Sequence, residues 1–315
     1  MPRLLKLIVA LLSAVPAVAH AQRPEHVDAA LTRRLTALVK GFHGGVGIYV
    51  RELRTGASVA IDADSVFPTA SIVKVPILLT LYDQVAQGRL SLDAMQARPA
   101  SLVYKYEEGT DVVRYMATGD SIPLSELAFL MLSVSDNVAS LWIQALVGGG
   151  TAVNDWLAAH GFVATRVNSR TPGREASQQR YGWGQTTPRE IARALVLIRE
   201  GRAVSPRASE AMYRSLTRSY WNDNALSQIP PTVAVASKQG FVDHARGEVL
   251  LVNAPAGDYV LAILTRQQAD SSYDAGNEGH RLIRAVSRAV YTHWNPRDPW
   301  RPLPRAPVPD TQRTP

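Results

Sequence analysis

The chain alternates between segments with an apolar residue at every second position and segments with apolar residues three or four positions apart. Residues 25–40 place Val27, Leu31, Leu35 and Leu38 on one helical face, and a glycine follows. The next segment, GVGIYVREL, has the period of two that is typical of a strand. SVAIDA, after the turn RTGA, is its expected hairpin partner. The pattern therefore predicts a helix and a β-hairpin near the N-terminus.

The pattern becomes helical from residue 71 to about residue 219, with glycine or proline at the ends of segments such as SIVKVPILLTLYDQVAQG and PLSELAFLMLSV. Three strands follow, TVAVASKQG, GEVLLVN and DYVLAILTRQ, and then a last helix, GNEGHRLIRAVSRAVYTHW. This order predicts an α/β fold with a five-stranded antiparallel sheet flanked by terminal helices. An all-α lobe (71–219) is inserted into the α/β part (22–70 and 220–294), and we expect a site in the cleft between them.

The two ends of the 315-residue chain depart from this pattern. Residues 1–21 combine a positive start, a short apolar run and Ala-His-Ala, which predicts a cleaved secretory signal peptide; a retained N-terminal anchor is the alternative. Residues 295–315 contain seven prolines and are predicted to be a disordered tail. We therefore expect one folded domain, 22–294, in a secreted, periplasmic, monomeric protein that is not inserted in the membrane after cleavage.

Composition and residue spacing argue against nucleic-acid binding and against a zinc site. The chain has no cysteine, so a secreted form must rely on its hydrophobic core. The formal charge of +7 lies partly at the two ends, and the other basic residues are scattered, so nucleic-acid binding is not expected. His160, His244 and His280 lack the spacing of metal ligands, so we predict no zinc site.

Ser71 and Lys74 lie three residues apart at the start of a predicted helix and therefore share one face. A lysine in this position can take the proton of a serine hydroxyl, and a helix N-terminus favours a developing oxyanion. The alternative is that Ser71 only caps the helix and Lys74 is solvated. The pair alone does not decide between these interpretations.

Two further motifs occur later in the chain, SDN at 135–137 and KQG at 238–240. Each has an ordinary explanation, the first as a helix cap and the second as a strand end. Together with Ser-x-x-Lys, and in this order, they resemble the motifs of class A β-lactamases and penicillin-binding proteins. The resemblance covers approximately residues 25–294.

The resemblance implies a role for each matching residue. Ser71 would attack a β-lactam carbonyl and form an acyl-enzyme, and Lys74 would take or relay the proton. No metal or organic cofactor is implied. The other implied roles are proton transfer to the leaving nitrogen (Ser135), binding of the substrate side-chain amide (Asn137), positive charge near the substrate carboxylate (Lys238), an oxyanion hole formed by the N–H groups of Ser71 and of the residue after Gly240 (Phe241), and carboxylate binding (Arg246).

The sequence departs from the family at the omega loop. Class A enzymes use a glutamate there to activate water, and Thr171 stands at the corresponding position. Glu175, four residues later, is either a substitute base or a solvated carboxylate. Phe241 is bulky where the family has a small residue. Tyr104 and Tyr106 form either an aromatic wall of the cleft or part of a surface loop.

The predicted function is that of a β-lactamase-like serine hydrolase that opens β-lactam rings through a Ser71 acyl-enzyme. Because the omega-loop glutamate is absent, two alternatives stay open: a penicillin-binding D-Ala-D-Ala peptidase or esterase, and a protein that binds β-lactams or peptidoglycan stems without turnover. A structural peptidoglycan-binding module is a further alternative. The expected partner is a small-molecule β-lactam or a peptidoglycan stem.

Overall fold

The computed structural model describes residues 23–104 and 110–302. The predicted signal peptide and Tyr106 lie outside the described residues. Within these two stretches, no helix combines the length and the apolar character needed to cross a bilayer. The α-helices are α1 (Ala29–Val39), α2 (Lys74–Ala86), α3 (Leu124–Ser133), α4 (Asn137–Leu146), α5 (Gly149–Ala159), α6 (Glu175–Tyr181), α7 (Pro188–Arg199), α8 (Pro206–Leu216) and α9 (Glu278–Trp294).

The strands form one large sheet and two small ones. The large sheet has the order β1-β3-β2-β11-β10-β9, in which all neighbours are antiparallel except the pair β1 and β3. The five predicted antiparallel strands are therefore present, and the two-residue β1 is added at one edge. The strands are β1 (His26–Val27), β2 (Gly45–Glu52), β3 (Ala57–Ile61), β4 (Phe67–Pro68), β5 (Met95–Ala97), β6 (Ser121–Pro123), β7 (Arg166–Val167), β8 (Gly184–Thr186), β9 (Val235–Val242), β10 (Ala245–Ala254) and β11 (Gly257–Arg266).

Both faces of the large sheet are buried, which explains why β11 is apolar along most of its length. Leu261 and Ile263 pack with the terminal helices α1 and α9, whereas Val260, Ala262 and Leu264 point to the opposite face, toward α2 and α7. Alternate residues of a strand thus belong to two different cores. The sheet is the central layer of the fold.

The inserted lobe is not all-α as predicted. It contains a two-stranded sheet of β5 and β6, and also β7 and β8, which form a three-stranded sheet with β4 of the α/β part in the order β4-β8-β7. These strands are two or three residues long, too short to produce a period-two pattern. In addition, α7 lies on the large sheet, because Gly47 of β2 leaves space that Phe67 and Pro188 occupy.

The chain after α9 packs back onto that helix over the part that the structure describes. Tyr291 donates a hydrogen bond to Asp298 at 2.5 Å, and Arg288 donates one to the carbonyl of Trp300 at 2.9 Å. The Arg288 guanidinium also lies 5.5 Å from the centre of the Trp300 indole. Residues 295–302 are therefore part of the folded structure, and the rest of the predicted tail lies outside the described residues.

Candidate active site

Ser71 lies on a 3-10 helix, Ala70–Val73, that leads directly into α2. The residue before it, Ala70, has a left-handed backbone conformation with φ of +43°. A non-glycine residue in this region is strained, and such strain is found where the surrounding structure fixes a functional group. The turn thus presents the Ser71 side chain at the N-terminal end of α2, between the lobe and the large sheet.

Gly240 on β9 allows the edge strand to approach this turn. A Cβ atom at Gly240 would lie 2.4 Å from the carbonyl oxygen of Thr69 and 2.8 Å from the amide nitrogen of Ser71. Both contacts are with backbone, which cannot move aside as a side chain can. The glycine of Lys-x-Gly is therefore required for β9 to pack against the backbone that carries Ser71.

Lys74 is fully buried and joins the first two motifs. Its Nζ lies 3.1 Å from Ser71 Oγ, 3.0 Å from Ser135 Oγ, 2.5 Å from the Ser135 carbonyl oxygen and 2.7 Å from Asn137 Oδ1. The carbonyl and amide oxygens can only accept hydrogen bonds. They hold the Lys74 amine in place within hydrogen-bond distance of both serine hydroxyls.

Ser135 is presented by the start of α4. It has a φ of +66°, and the following Asp136 caps the helix by accepting a hydrogen bond from the Ala139 N–H at 2.8 Å. The other Asp136 oxygen accepts a hydrogen bond from the Val113 N–H at 2.9 Å, and burial raises the pKa of this carboxyl. The predicted cap is therefore real, and it also positions Ser135.

Lys238 approaches Ser135 from the opposite side. Its Nζ donates to Ser135 Oγ at 3.0 Å and to the Gln239 carbonyl oxygen at 2.9 Å. Burial, together with the nearby Lys74, lowers the pKa of Lys238 well below its ordinary value. The buried Glu248 on β10 attracts the Lys238 charge, but burial raises the pKa of Glu248 itself to about 8. Ser135 thus bridges two lysine amines, and its hydroxyl can pass a proton between them.

Ser71, Ser135 and Asn137 line a cavity of about 70 Å³, whereas the fully buried Lys74 and Lys238 lie outside its lining. Sequence reasoning identified Ser71, Ser135, Asn137 and Phe241 among its lining residues and left the role of Tyr104 open. Tyr104 lies on the wall and accepts a hydrogen bond from Asn137 Nδ2 at 3.2 Å. The lining residues that sequence reasoning missed are Ala70, Thr110, Trp183, Trp221, Gln239 and Val242. Only Gln239 carried a sequence signal, because it is the middle residue of the third motif.

The model of the β-lactamase enzyme family matches residues 30–294. The chain belongs to this family. A β-lactamase of Rhodobacter capsulatus is 25% identical over 263 residues, which make up 83% of this chain and 87% of that protein. The extended-spectrum β-lactamase PER-1 of Pseudomonas aeruginosa is 23% identical over 269 residues, 83% of this chain and 86% of that protein.

Solved structures confirm the predicted fold class. The structure of PBP-A has a TM-score of 0.78 and 27% sequence identity, and the match covers 88% of this chain and 100% of that one. A β-lactamase of Sphaerobacter thermophilus has a TM-score of 0.75 and 26% identity, with 86% and 100% of the two chains covered. The chain therefore has the fold of β-lactamases and of PBP-A.

Arg246 does not lie where the resemblance to β-lactamases places a carboxylate-binding arginine. It is 1% exposed and absent from the cavity lining, and its guanidinium donates to the backbone carbonyls of Val242, Ala245 and Ser272. Burial lowers the pKa of Arg246, and the Tyr273 ring lies 4.9 Å from the guanidinium. Arg246 thus does not contact the cavity as expected, and its hydrogen bonds connect the β9–β10 turn to the segment that contains Ser272.

Phe241 lies at the centre of an aromatic cluster on this side of the cavity. Its ring makes edge-to-face contacts with Trp221 at 5.8 Å and with Tyr273 at 6.1 Å. The ring lines the cavity, and the expectation that it narrows the cleft relative to other family members stays a prediction. The cluster also lies between the cavity and part of the Arg246 side chain, whose guanidinium is 6.0 Å from the Phe241 ring centre.

Neither omega-loop candidate reaches the cavity. Thr171 is buried toward α5, where a Cβ on Gly150 would collide with its side chain, and its hydroxyl donates to the Ser169 carbonyl at 3.0 Å. Glu175 is exposed at the start of α6 and accepts a hydrogen bond from the Gly173 N–H at 3.1 Å. The structure corrects the hypothesis that Glu175 is the substitute base, because this carboxylate caps its own turn on the surface.

Proposed function

We propose that this member of the β-lactamase family is a serine hydrolase that opens β-lactam rings by forming an acyl-enzyme at Ser71. The observation that carries the proposal is the position of Lys74 Nζ, 3.1 Å from the Ser71 hydroxyl and 3.0 Å from the Ser135 hydroxyl. A buried amine within hydrogen-bond distance of a cavity-lining serine is the arrangement that activates this nucleophile. The β-lactamases among the relatives support the same activity.

The proposed acylation transfers one proton around the cavity. Lys74 removes the proton of Ser71, and Ser71 Oγ bonds to the carbonyl carbon of the ring. The carbon–nitrogen bond of the ring then breaks. Ser135, between Lys74 and Lys238, passes a proton to the leaving nitrogen. The backbone N–H groups of Ser71 and Phe241 would stabilise the oxyanion.

Release of the acyl group is the step for which the described site offers no carboxylate. No aspartate or glutamate lines the cavity that contains Ser71 in the described part of the chain. Hydrolysis of the acyl-enzyme needs a base within hydrogen-bond reach of the attacking water. We therefore expect fast acylation followed by slow deacylation.

A second candidate function follows from this expectation, namely that of a penicillin-binding peptidase or esterase acting on D-Ala-D-Ala stems. Such an enzyme uses the same acylation and passes its acyl group to another acceptor. The similarity to PBP-A supports this candidate, because a mutant of PBP-A was solved as an acyl-enzyme complex with penicillin G. The two candidates differ in the fate of the acyl-enzyme, so one experiment distinguishes them.

The test mixes the protein with a chromogenic cephalosporin and follows colour and intact mass together. Continuous colour with a transient adduct on Ser71 would support a β-lactamase. One burst of colour with a lasting adduct would support the penicillin-binding alternative. Neither colour nor adduct would refute acylation of Ser71 and with it the proposed function.

A further inference from the structure

Trp183 lies beside the catalytic amine, at a position that no motif indicated. The centre of its indole is 5.9 Å from Lys74 Nζ and 5.8 Å from the Tyr104 ring, with the two rings at 82°. The indole lines the cavity of Ser71 and also a neighbouring cavity of about 510 Å³. The larger cavity has ample room for water. Trp183 is therefore placed at the boundary between Ser71 and a volume that can supply water.

The backbone holds Trp183 firmly in this position. Its carbonyl oxygen accepts hydrogen bonds from the N–H groups of Asn168 at 2.8 Å and Ser169 at 3.0 Å. The next residue, Gly184, packs so closely on the Ser71 turn that a Cβ there would lie 2.6 Å from the Val73 side chain. The indole is thus attached to a strand that is packed against the nucleophile's own helix. Its position does not depend on an exposed loop.

We propose that Trp183 shields the Ser71 acyl-enzyme from water and so prolongs its lifetime, an inference that rests on the proposed function. In hydrolysis, the water oxygen bonds to the acyl carbon and the bond from that carbon to Ser71 Oγ breaks. One water proton goes to a base, and Ser71 Oγ regains a proton. An indole has one N–H donor and no acceptor, so it cannot take the water proton. Its ring excludes water from the space beside Lys74.

The residues that line the second cavity are consistent with the proposed role of Trp183. It is lined by Arg180, Tyr181, His244 and Arg266, along with the exposed Asp243. Arg266 is held by Asp62 at 3.3 Å and by the carbonyl of Val66 at 2.6 Å, so it is already engaged. Trp183 shares with Ala70 and Val242 the boundary between this cavity and the cavity of Ser71, and it is the largest of the three side chains.

The experiment measures the lifetime of the acyl-enzyme in Trp183→Ala. The adduct is formed with penicillin G, free penicillin is removed, and the decay is followed by intact mass with and without hydroxylamine, a small nucleophile that needs no general base. Loss of the indole should accelerate decay about tenfold in hydroxylamine and less in water alone. Trp183→Phe and Trp183→Leu should give intermediate rates, and these variants decide the question if the alanine variant does not fold. Trp156→Phe, a buried tryptophan of α5 remote from the cavity lining, is the matched control.

The outcomes separate this inference from the proposed function. No adduct on the wild-type protein refutes the proposed function and the inference together. A wild-type adduct that is hydrolysed within seconds leaves acylation intact and refutes the shield. An adduct that decays equally fast in the wild-type and in all folded Trp183 variants also refutes the shield, as does equal acceleration in Trp156→Phe.

Discussion

The catalytic junction, which comprises Ser71, Lys74, Ser135, Asn137 and Lys238, differs sharply from the omega segment, residues 168–183. The side chains of the junction are buried or half-buried, and hydrogen bonds of 2.5–3.1 Å link Ser71, Ser135 and Asn137 to Lys74 Nζ and Ser135 also to Lys238 Nζ. The titratable side chains of the omega segment are mostly exposed, as Arg170, Glu175 and Arg180 are.

The two regions differ in burial because different structural elements hold them in place. The junction lies where α2, α4 and β9 meet, so its residues are fixed by helix starts and by a sheet edge. The omega segment turns its buried side chains inward, with Thr171 facing α5, and extends only Trp183 into the cavity. If the proposed function holds, this difference predicts that the molecule supports acylation better than deacylation.

The largest expected effect tests the junction at its nucleophile. Ser71→Ala should abolish the covalent adduct with penicillin G and lower cephalosporin opening by at least about 10³-fold, because the attacking oxygen is gone. Intact mass and colour measure the two effects. Ser140→Ala on α4 is the matched control, since Ser140 is equally small, fully buried and outside the cavity. Persistent adduct formation in Ser71→Ala would place the nucleophile elsewhere.

The second prediction tests the close contact of β9 with the Ser71 turn. Gly240→Ala should lower the acylation rate by about 10²-fold, because a Cβ only 2.4 Å from the Thr69 carbonyl must displace backbone at the oxyanion site. Gly45→Ala is the control, since its Cβ would meet only the flexible Arg266 side chain. The stopped-flow burst rate measures the effect. Equal rates for the two variants would show that the strand can move without loss of catalysis.

The junction was easier to predict from sequence than the omega segment, for a physical reason. Ser-x-x-Lys and Lys-x-Gly combine residues whose chemistry depends on short spacing along one helix or strand, so the sequence itself carries the geometry. Gly240 likewise indicates from the sequence alone that β9 can approach another part of the chain closely. The five antiparallel strands and the order of the helices were predicted from periodicity for the same reason.

Side-chain direction across elements was not predictable in this way. Arg246 has the right neighbours in sequence for a carboxylate ligand, yet its guanidinium binds three backbone carbonyls. Trp183 and Trp221 belong to no motif, because they reach the cavity through packing between segments that are far apart in the sequence. The short strands of the lobe were missed because two or three residues do not establish a period.

The third prediction concerns the charges buried near the junction. Burial raises the pKa of Glu248 from an ordinary value of 4.5 to about 8, so the folded state binds more protons than the unfolded state between these values. Stability from this group is therefore fully present below pH 4.5 and is lost as the pH rises toward 8. Glu248→Gln keeps an acceptor for the Ala225 N–H. Because glutamine does not ionise, this variant should not lose stability through residue 248 as the pH rises.

Urea unfolding at several pH values measures this effect. Between pH 5 and 8 the gain in unfolding free energy of Glu248→Gln over the wild-type should grow by about 1 kcal/mol per pH unit. Lys238 has a lowered pKa and contributes in the opposite direction, and the loss of the Glu248 charge lowers its pKa further, so the measured slope contains both effects. The exposed Glu210→Gln on α8 is the control. A difference that does not change with pH would contradict the raised pKa.

The last prediction concerns Glu175 in the omega segment. Glu175→Gln should change acylation and deacylation by less than about threefold, because this carboxylate is exposed and bonds to its own turn through Gly173. Acyl-enzyme decay after removal of free penicillin G measures the second rate. A much longer adduct lifetime in Glu175→Gln would mean that α6 moves inward in the acyl-enzyme and brings this base to the cavity. That result would make the omega segment a part of the catalytic machinery, so this small change tests whether the two regions act independently.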